Sequence, residues 1–175
     1  MDTKKSDVEI LTLALTTVEE MLNDRNYIPI SSRFPELNVI DRVKNCKYFT
    51  PSGKFAIVIV VESSSQIKNF SKYIEDEEYE TIIFVYMNVV TIAHKIMEKN
   101  LNNKIEIWSV YNLLVNISRH YLQPKIERVT EELEICGKLP KISFQDPIVR
   151  YFCFKRKDIL KITDSEGNIH YRTVV

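Results

Sequence analysis

The feature that most constrains the fold is a wholly apolar run from Ala56 to Val61. A second segment of this kind covers Glu80–Tyr86, and a shorter one covers Ile105–Trp108. Runs without polar alternation are typical of strands that are covered on both faces of a sheet. The segments 63–75 and 92–99, which lie between these runs, have helical patterns. Strands that alternate with helices predict β-α-β units and a partly parallel sheet, and therefore an α/β fold.

The N-terminal segments add a helix and a strand pair to this prediction. Ser6 and Glu9 have the spacing of a capping box, and apolar residues then recur on one helical face until about Asn26. A short helical piece is predicted within 36–44. A strand, a turn and a further strand are predicted over 47–62, where Pro, Ser and Gly interrupt two apolar stretches.

Composition excludes several classes of function. The chain has 24 Lys and Arg against 24 Asp and Glu, which argues against a free-standing, tight nucleic-acid binder. Three glycines cannot build a dinucleotide-binding loop or a P-loop. Three widely spaced cysteines argue against a disulfide scaffold and a zinc site, and favour a reducing, intracellular compartment. We expect neither a secretory signal nor a membrane span, because no apolar run is long enough.

A domain boundary is expected where the charge pattern changes. The segment Tyr111–Ser118 is predicted to be helical, with Leu114 and Ile117 facing the core. An acidic stretch and then a basic stretch follow residue 125. The prediction is therefore an N-terminal α/β domain over 1–125 and a small C-terminal domain over 126–175.

The C-terminal domain is predicted to combine a short helix with a β-hairpin. Asp146 has the position of an N-cap, and Pro147 suits the first helical position. Strands are predicted at Ile159–Thr163 and Ile169–Val174, joined by a loop with one glycine. Asp146 is also a conceivable catalytic carboxylate. The cap is the better interpretation, because no acid or histidine that could act with it lies nearby in the sequence.

A series of motifs in register marks the last 37 residues. They are a Leu-Pro-basic-Ile run, an Asp-Pro helix start with a tyrosine, a Lys-Arg turn, a strand that ends in Lys-Ile and a Tyr-Arg strand. Their positions are Leu139, Pro140, Lys141, Ile142, Asp146, Pro147, Tyr151, Lys155, Arg156, Lys161, Ile162, Tyr171 and Arg172. The pattern closely resembles the C-terminal domain of the fifth subunit of eukaryotic RNA polymerases, a domain that is shared with a small archaeal polymerase subunit.

The resemblance implies a non-catalytic subunit of a multisubunit, DNA-dependent RNA polymerase. The C-terminal domain would then bind the largest subunit through Leu139, Pro140, Ile142, Asp146, Pro147, Tyr151, Lys155, Arg156, Tyr171 and Arg172. Other polymerase subunits would be the partners, with no membrane and no homo-oligomer. The chain itself would bind no cofactor, and Mg²⁺ and Zn²⁺ would belong to other subunits. A cellular member would work in the nucleus, and a viral one in cytoplasmic virus factories and the virion.

The resemblance extends upstream to the family's jaw domain. Asp24-Arg25-Asn26-Tyr27 is similar to the end of the family's first helix, and the order of elements over 56–125 is similar to the jaw. The Thr-x-x-x-Lys of Thr91 and Lys95 looks like a loop that family members turn toward downstream duplex DNA. The resemblance implies that the jaw contacts downstream DNA indirectly or through a few residues. Isoleucine makes up 22 of the 175 residues, which suits the AT-rich genome of a large DNA virus or a reduced eukaryote.

Two other functions remain open at this point. The jaw of the family is similar in layout to nuclease folds, so a metal-dependent nuclease of the Holliday-junction type is one alternative. Glu62 would be its metal ligand, although the Asp and the Glu-x-Lys that such sites need are incomplete here. His94, His120 and His170 are too dispersed to suggest a metal site. The other alternative is a free-standing adaptor that binds polymerase through the C-terminal domain.

Overall fold

The computed structural model describes residues 6–30, 38–61, 76–87, 105–130 and 138–175. Two compact units make up the chain, Met1–Val115 and Asn116–Val175. The break between them therefore lies before the expected boundary at residue 125. The reason is that the segment after residue 115 already belongs to the second unit, where it contacts a helix and supplies an edge strand. The change in charge falls inside this unit and does not mark its start.

The first unit begins with the predicted capped helix. Helix α1 spans Asp7–Asp24, and the Ser6 hydroxyl accepts a hydrogen bond from the backbone N–H of Glu9 at 3.2 Å. The Glu9 carboxylate in turn accepts from the Ser6 N–H at 2.7 Å, so the capping box is confirmed. The apolar face of α1 is buried at Ala14, Leu15, Val18, Met21 and Leu22.

A five-stranded sheet follows in the order β1-β2-β3-β4-β5. The strands are β1 (Ile28–Pro29), β2 (Lys47–Phe49), β3 (Phe55–Val61), β4 (Tyr79–Tyr86) and β5 (Ile105–Ser109). The strands β1, β2 and β3 pair antiparallel, whereas β3, β4 and β5 pair parallel. The mixed, partly parallel sheet and the α/β class are thus confirmed. The two-residue strand β1 carries no periodic signal in the sequence and was not predicted.

Strand β3 lies at the centre of the sheet and is buried on both faces, as its apolar run predicts. One face carries a core cluster made of Ile57, Ile59, Val61, Tyr79, Ile82 and Phe84. The alternating residues of the same strands, such as Val58 and Ile83, are buried on the other face. A short helix α2, Val39–Val43, packs against α1, and the ion pair between Arg42 and Glu19 joins them at 3.0 Å.

The segment after β5 is not the single helix that the sequence predicts. It forms two 3₁₀ turns, Val110–Leu113 and Ile117–Arg119, and the Asn116 side chain caps the second turn. The buried residues are Val110 and Leu113, whereas Leu114 and Ile117 are half-buried. The predicted inward face is therefore wrong, because Asn116 has extended backbone and interrupts the helical register.

The second unit contains a four-stranded sheet in the order β6-β8-β9-β7. Its elements are β6 (Lys125–Arg128), β7 (Lys141–Ile142), helix α3 (Pro147–Tyr151), β8 (Ile159–Thr163) and β9 (Ile169–Val174). The predicted helix and hairpin are confirmed with the same strand bounds. The edge strands β6 and β7 are additional. They pair with β8 and β9, which are distant from them in the sequence, so no local sequence pattern predicts them.

Several predictions lie outside the described residues. They are the helices at 63–75 and 92–99, the DNA-side residues Thr91 and Lys95, and Glu62 and His94. Within the described ranges, no helix is long and apolar enough to cross a membrane. The likeness of the first unit to a nuclease fold stays a prediction.

Candidate protein-binding surface

Part of the C-terminal motif serves to fold the second unit. The Asp146 carboxylate accepts a hydrogen bond from the Ile148 N–H at 3.0 Å and thereby caps α3. Pro147 occupies the first helical position, where no N–H is needed. These contacts confirm the cap interpretation of Asp146. They also show why this residue pair starts a helix as short as five residues.

Tyr151 also belongs to the interior of the unit. Its side chain is 1% exposed, and its hydroxyl accepts a hydrogen bond from the Asn116 side-chain amide at 3.1 Å. Its ring lies edge-on against Phe152. The structure therefore places Tyr151 in the core rather than on the surface where a partner would contact it. Sequence reasoning could not separate the two roles, because a tyrosine on an apolar helix face suits both.

Strand β7 forms one edge of the second sheet, where it pairs parallel with the end of β9. The Thr173 N–H donates to the Pro140 carbonyl at 2.9 Å, and the Val175 N–H donates to the Ile142 carbonyl at 3.0 Å. The Phe144 N–H then donates to the Val175 carbonyl at 2.8 Å. These bonds hold the segment 140–144 in a fixed position beside β9.

Two arginines of the motif converge on this segment. The Arg172 guanidinium donates to the Lys141 carbonyl at 3.3 Å. The Arg156 guanidinium lies 5.1 Å from the centre of the Phe144 ring, within the range of a cation–π contact. Both arginines are exposed. We define the β7 surface as Pro140, Lys141, Phe144, Arg156 and Arg172.

Phe144 is the member of the β7 surface that sequence reasoning missed. It is half-buried and lies two residues after β7. A single aromatic between two polar residues carries no periodic signal. Its contact with Arg156, 12 residues away, depends on the fold.

The basic turn Lys155–Lys157 has a fixed backbone. The Asp158 carboxylate accepts from the Lys155 N–H at 2.8 Å, and the Lys157 N–H donates to the Val174 carbonyl at 2.9 Å. Lys157 has φ 75°, a left-handed conformation that costs a non-glycine residue about 1 kcal/mol or more. All three side chains of the turn are exposed. The turn therefore presents its cations from a rigid position.

The remaining motif residues are not all brought together. Tyr171 precedes Arg172 in β9, and successive strand residues point to opposite faces of a sheet. Tyr171 therefore lies on the other face from Arg172, where it pairs with Lys161 of β8. Leu139 is half-buried next to the start of β7. Of the interface residues predicted from the sequence, Asp146, Pro147 and Tyr151 thus fold the unit, whereas Pro140, Arg156 and Arg172 lie on the β7 surface. The other four, Leu139, Ile142, Lys155 and Tyr171, belong to neither set.

The remaining candidates for a chemical site are clusters of metal-ligating side chains and a carboxylate with a shifted pKa. In the parts of the chain that the structure describes, no group of three His, Cys, Asp or Glu side chains could hold a metal ion. Hydrogen bonds from the Asn168 side chain and from backbone N–H groups lower the pKa of Asp164. This carboxylate closes the β8–β9 turn, so the lowered pKa reflects a structural role.

Comparison with known proteins agrees with the resemblance. Residues 115–174 match the family model described as RNA polymerase Rpb5, C-terminal domain, and this range almost coincides with the second unit. A relative from Arabidopsis thaliana, DNA-directed RNA polymerases IV and V subunit 5B, is 28% identical over 97% of this chain and 93% of its own length.

Two further relatives come from distant sources. The Dictyostelium discoideum protein named DNA-directed RNA polymerases I, II, and III subunit rpabc1 is 28% identical over 89% of this chain and 90% of its own. A protein of Invertebrate iridescent virus 6, provisionally named DNA-directed RNA polymerase subunit 454R, is 27% identical over 79% and 86%. The resemblance to the fifth-subunit family is confirmed, and the chain is a homologue of RNA polymerase subunits.

Proposed function

We propose that this chain, a homologue of RNA polymerase subunits whose residues 115–174 match the Rpb5 C-terminal domain, is a non-catalytic subunit of a multisubunit, DNA-dependent RNA polymerase. The observation that carries the proposal is the coincidence of this match with a complete compact unit, Asn116–Val175. Relatives named as polymerase subunits align over most of the chain, so they support the proposal for both units.

In this proposal the second unit attaches the chain to the largest subunit. Support comes from the exposed members of the motif, Pro140, Lys141, Arg156 and Arg172. Their side chains are exposed at the β7 edge, and none of them belongs to the buried core. Exposed residues that the fold does not require are the ones available for a partner. Asp146, Pro147 and Tyr151 then act indirectly, because they fold the unit that carries this surface.

The first unit is proposed as a jaw element near downstream DNA. Residues 1–115 contain 13 Lys and Arg against 16 Asp and Glu, so overall charge attraction cannot hold it on a duplex. Its contribution would be positional, through a few phosphate contacts of the Thr91 and Lys95 loop. Nucleotidyl transfer and its metal ions belong, in this proposal, to other subunits, and this chain binds no cofactor.

The experiment that tests the proposal is affinity purification of the tagged full chain from its source organism, followed by quantitative mass spectrometry. We expect one copy per copy of the two largest polymerase subunits. Recovery well below that ratio would indicate a loosely bound adaptor rather than a subunit. Recovery without polymerase, or with DNA-repair proteins and Mg²⁺-dependent cleavage of branched DNA, would contradict the proposal.

A further inference from the structure

Five cations lie on or beside the β7 surface. Lys141, Arg156 and Arg172 belong to it, and Lys155 and Lys157 flank Arg156 in the rigid turn. All five side chains are exposed. Within the described residues, none of them forms an ion pair with a carboxylate. As far as the described residues extend, this edge of the unit is therefore a cationic surface without paired carboxylates.

The carboxylates of the same region have other roles. Residues 138–175 contain eight Lys and Arg against four Asp and Glu. Three of the four acids accept backbone N–H bonds: Asp146 at the start of α3, Asp158 in the basic turn and Asp164 in the β8–β9 turn. The fourth acid, Glu166, lies at the tip of that turn. These three acids thus have structural roles, and among the residues that the structure describes the five cations remain available for an external anion.

The side chains of Arg156 and Arg172 are already held in position to bind an anion. The Arg156 guanidinium rests on the Phe144 ring, and the Arg172 guanidinium is tied to the Lys141 carbonyl. A guanidinium has five N–H donors in a rigid plane, so each arginine keeps donors for a bidentate carboxylate. Ordering these side chains in advance reduces the entropy that binding would otherwise cost.

We infer that the β7 surface binds an acidic segment of the polymerase subunit that holds this chain, with Arg156 and Arg172 each pairing with a carboxylate. This inference rests on the proposed function. A protein carboxylate is favoured over a nucleic-acid phosphate, because the cations are interspersed with the apolar side chains of Pro140 and Phe144. A mixed apolar and charged surface is typical of protein interfaces. The zero net charge of the chain points the same way.

The test uses the tagged full chain bound to intact polymerase, washed from about 0.1 M to about 0.5 M salt. The variants are the double charge reversal Arg156→Glu with Arg172→Glu and the conservative pair Arg156→Lys with Arg172→Lys. Arg128→Glu is the matched control, because Arg128 is an exposed arginine on β6, at the opposite edge of the same sheet. We expect the charge reversal to reduce retention about tenfold or more at the lowest salt. The variant Arg156→Lys with Arg172→Lys should stay bound to polymerase at low salt and dissociate at a lower salt concentration than wild type.

Each other outcome has a defined meaning. Retention of the charge-reversal variant at the level of Arg128→Glu would overturn the inference and leave the proposed function intact. Nuclease digestion that lowered the retention of wild-type chain to the level of the charge-reversal variant would show that a nucleic acid occupies the surface, which also overturns the inference. Failure of wild type to co-purify with polymerase would instead contradict the proposed function. The conservative variant with lysine at positions 156 and 172 keeps both positive charges. Its retention at low salt would show that loss of charge, and not misfolding, releases the charge-reversal variant.

Discussion

Arg25 and Glu106 form an ion pair with two hydrogen bonds, at 2.8 and 2.9 Å, across 81 residues of sequence. Their side chains are 3% and 12% exposed, so the pair lies largely out of water. The pair connects the end of α1 to β5, the outermost strand of the parallel part of the sheet. The Trp108 indole N–H donates to the same carboxylate at 3.1 Å.

Glu106→Ala should therefore destabilise the first unit strongly. Removal of Glu106 takes the doubly hydrogen-bonded carboxylate away from the buried Arg25 guanidinium, which costs about 3 to 5 kcal/mol. Urea unfolding followed by the fluorescence of Trp108, the single tryptophan of the chain, measures this loss. Glu19→Ala is the control within the same unit, because the partner that it leaves, Arg42, is 23% exposed against 3% for Arg25, so the loss should be clearly smaller. Equal losses in both variants would contradict the assignment of Arg25 and Glu106 as a buried structural pair.

Tyr151→Phe and Tyr151→Ala should differ widely. The first removes only the hydroxyl bonded to Asn116 and should cost about 1 kcal/mol. The second leaves a cavity in the second unit and should cost about 3 to 5 kcal/mol. Chemical denaturation followed by circular dichroism provides the comparison. If Tyr151→Ala left stability unchanged but abolished polymerase binding, Tyr151 would be a direct interface residue after all.

Ser6→Ala should destabilise α1 by about 1 kcal/mol, because it removes one half of the capping box. Thr16→Ala is a suitable control within the same helix. Its hydroxyl bonds to the Thr12 carbonyl in the helix interior, and alanine has the higher helix propensity, so this variant should be neutral or slightly more stable. Thermal unfolding of both variants tests the pair. A Ser6→Ala protein as stable as wild type would contradict a stabilising role for this cap.

The second unit should lose stability in acid, partly through Asp164. Its pKa is lowered in the folded state from its usual value of 3.8, so the folded protein binds the proton less readily than the unfolded chain. The stabilisation is present above that usual value and disappears as pH falls through the lowered pKa. Urea unfolding of wild type and Asp164→Asn between pH 7 and about pH 2 should show a difference that narrows in acid. A difference that stays constant would rule out this carboxylate as a source of the pH dependence.

Sequence reasoning succeeds where the determinants are local. The Ser6 and Glu9 capping box, the Asp146-Pro147 helix start and the β8–β9 hairpin depend on residues a few positions apart. The apolar run Ala56–Val61 likewise requires a buried strand. These features account for the main elements of both units.

Sequence reasoning fails where contacts between residues far apart in the sequence determine the structure. The edge strand β7 exists because Lys141 pairs with Thr173, and nothing within two residues of β7 indicates a strand. The break in the helix predicted at Tyr111–Ser118 depends on one capping side chain, Asn116. Four members of the β7 surface could be named only as motif residues, and the fifth, Phe144, was not predicted. The separation of this surface from the buried Tyr151 required knowledge of which side each residue faces.

The parallel pairing of β7 with β9 has a consequence for biosynthesis. The β7 segment leaves the ribosome before β9, yet its backbone is held by Thr173 and Val175. At about 5 to 20 residues per second, the ribosome adds these later residues a few seconds after β7. A nascent chain therefore cannot display the arginines around Phe144 in their final arrangement until β9 has emerged. A chain shortened before Thr173 should likewise fail to hold the β7 segment in place, because the bonds to Pro140 and Ile142 come from Thr173 and Val175.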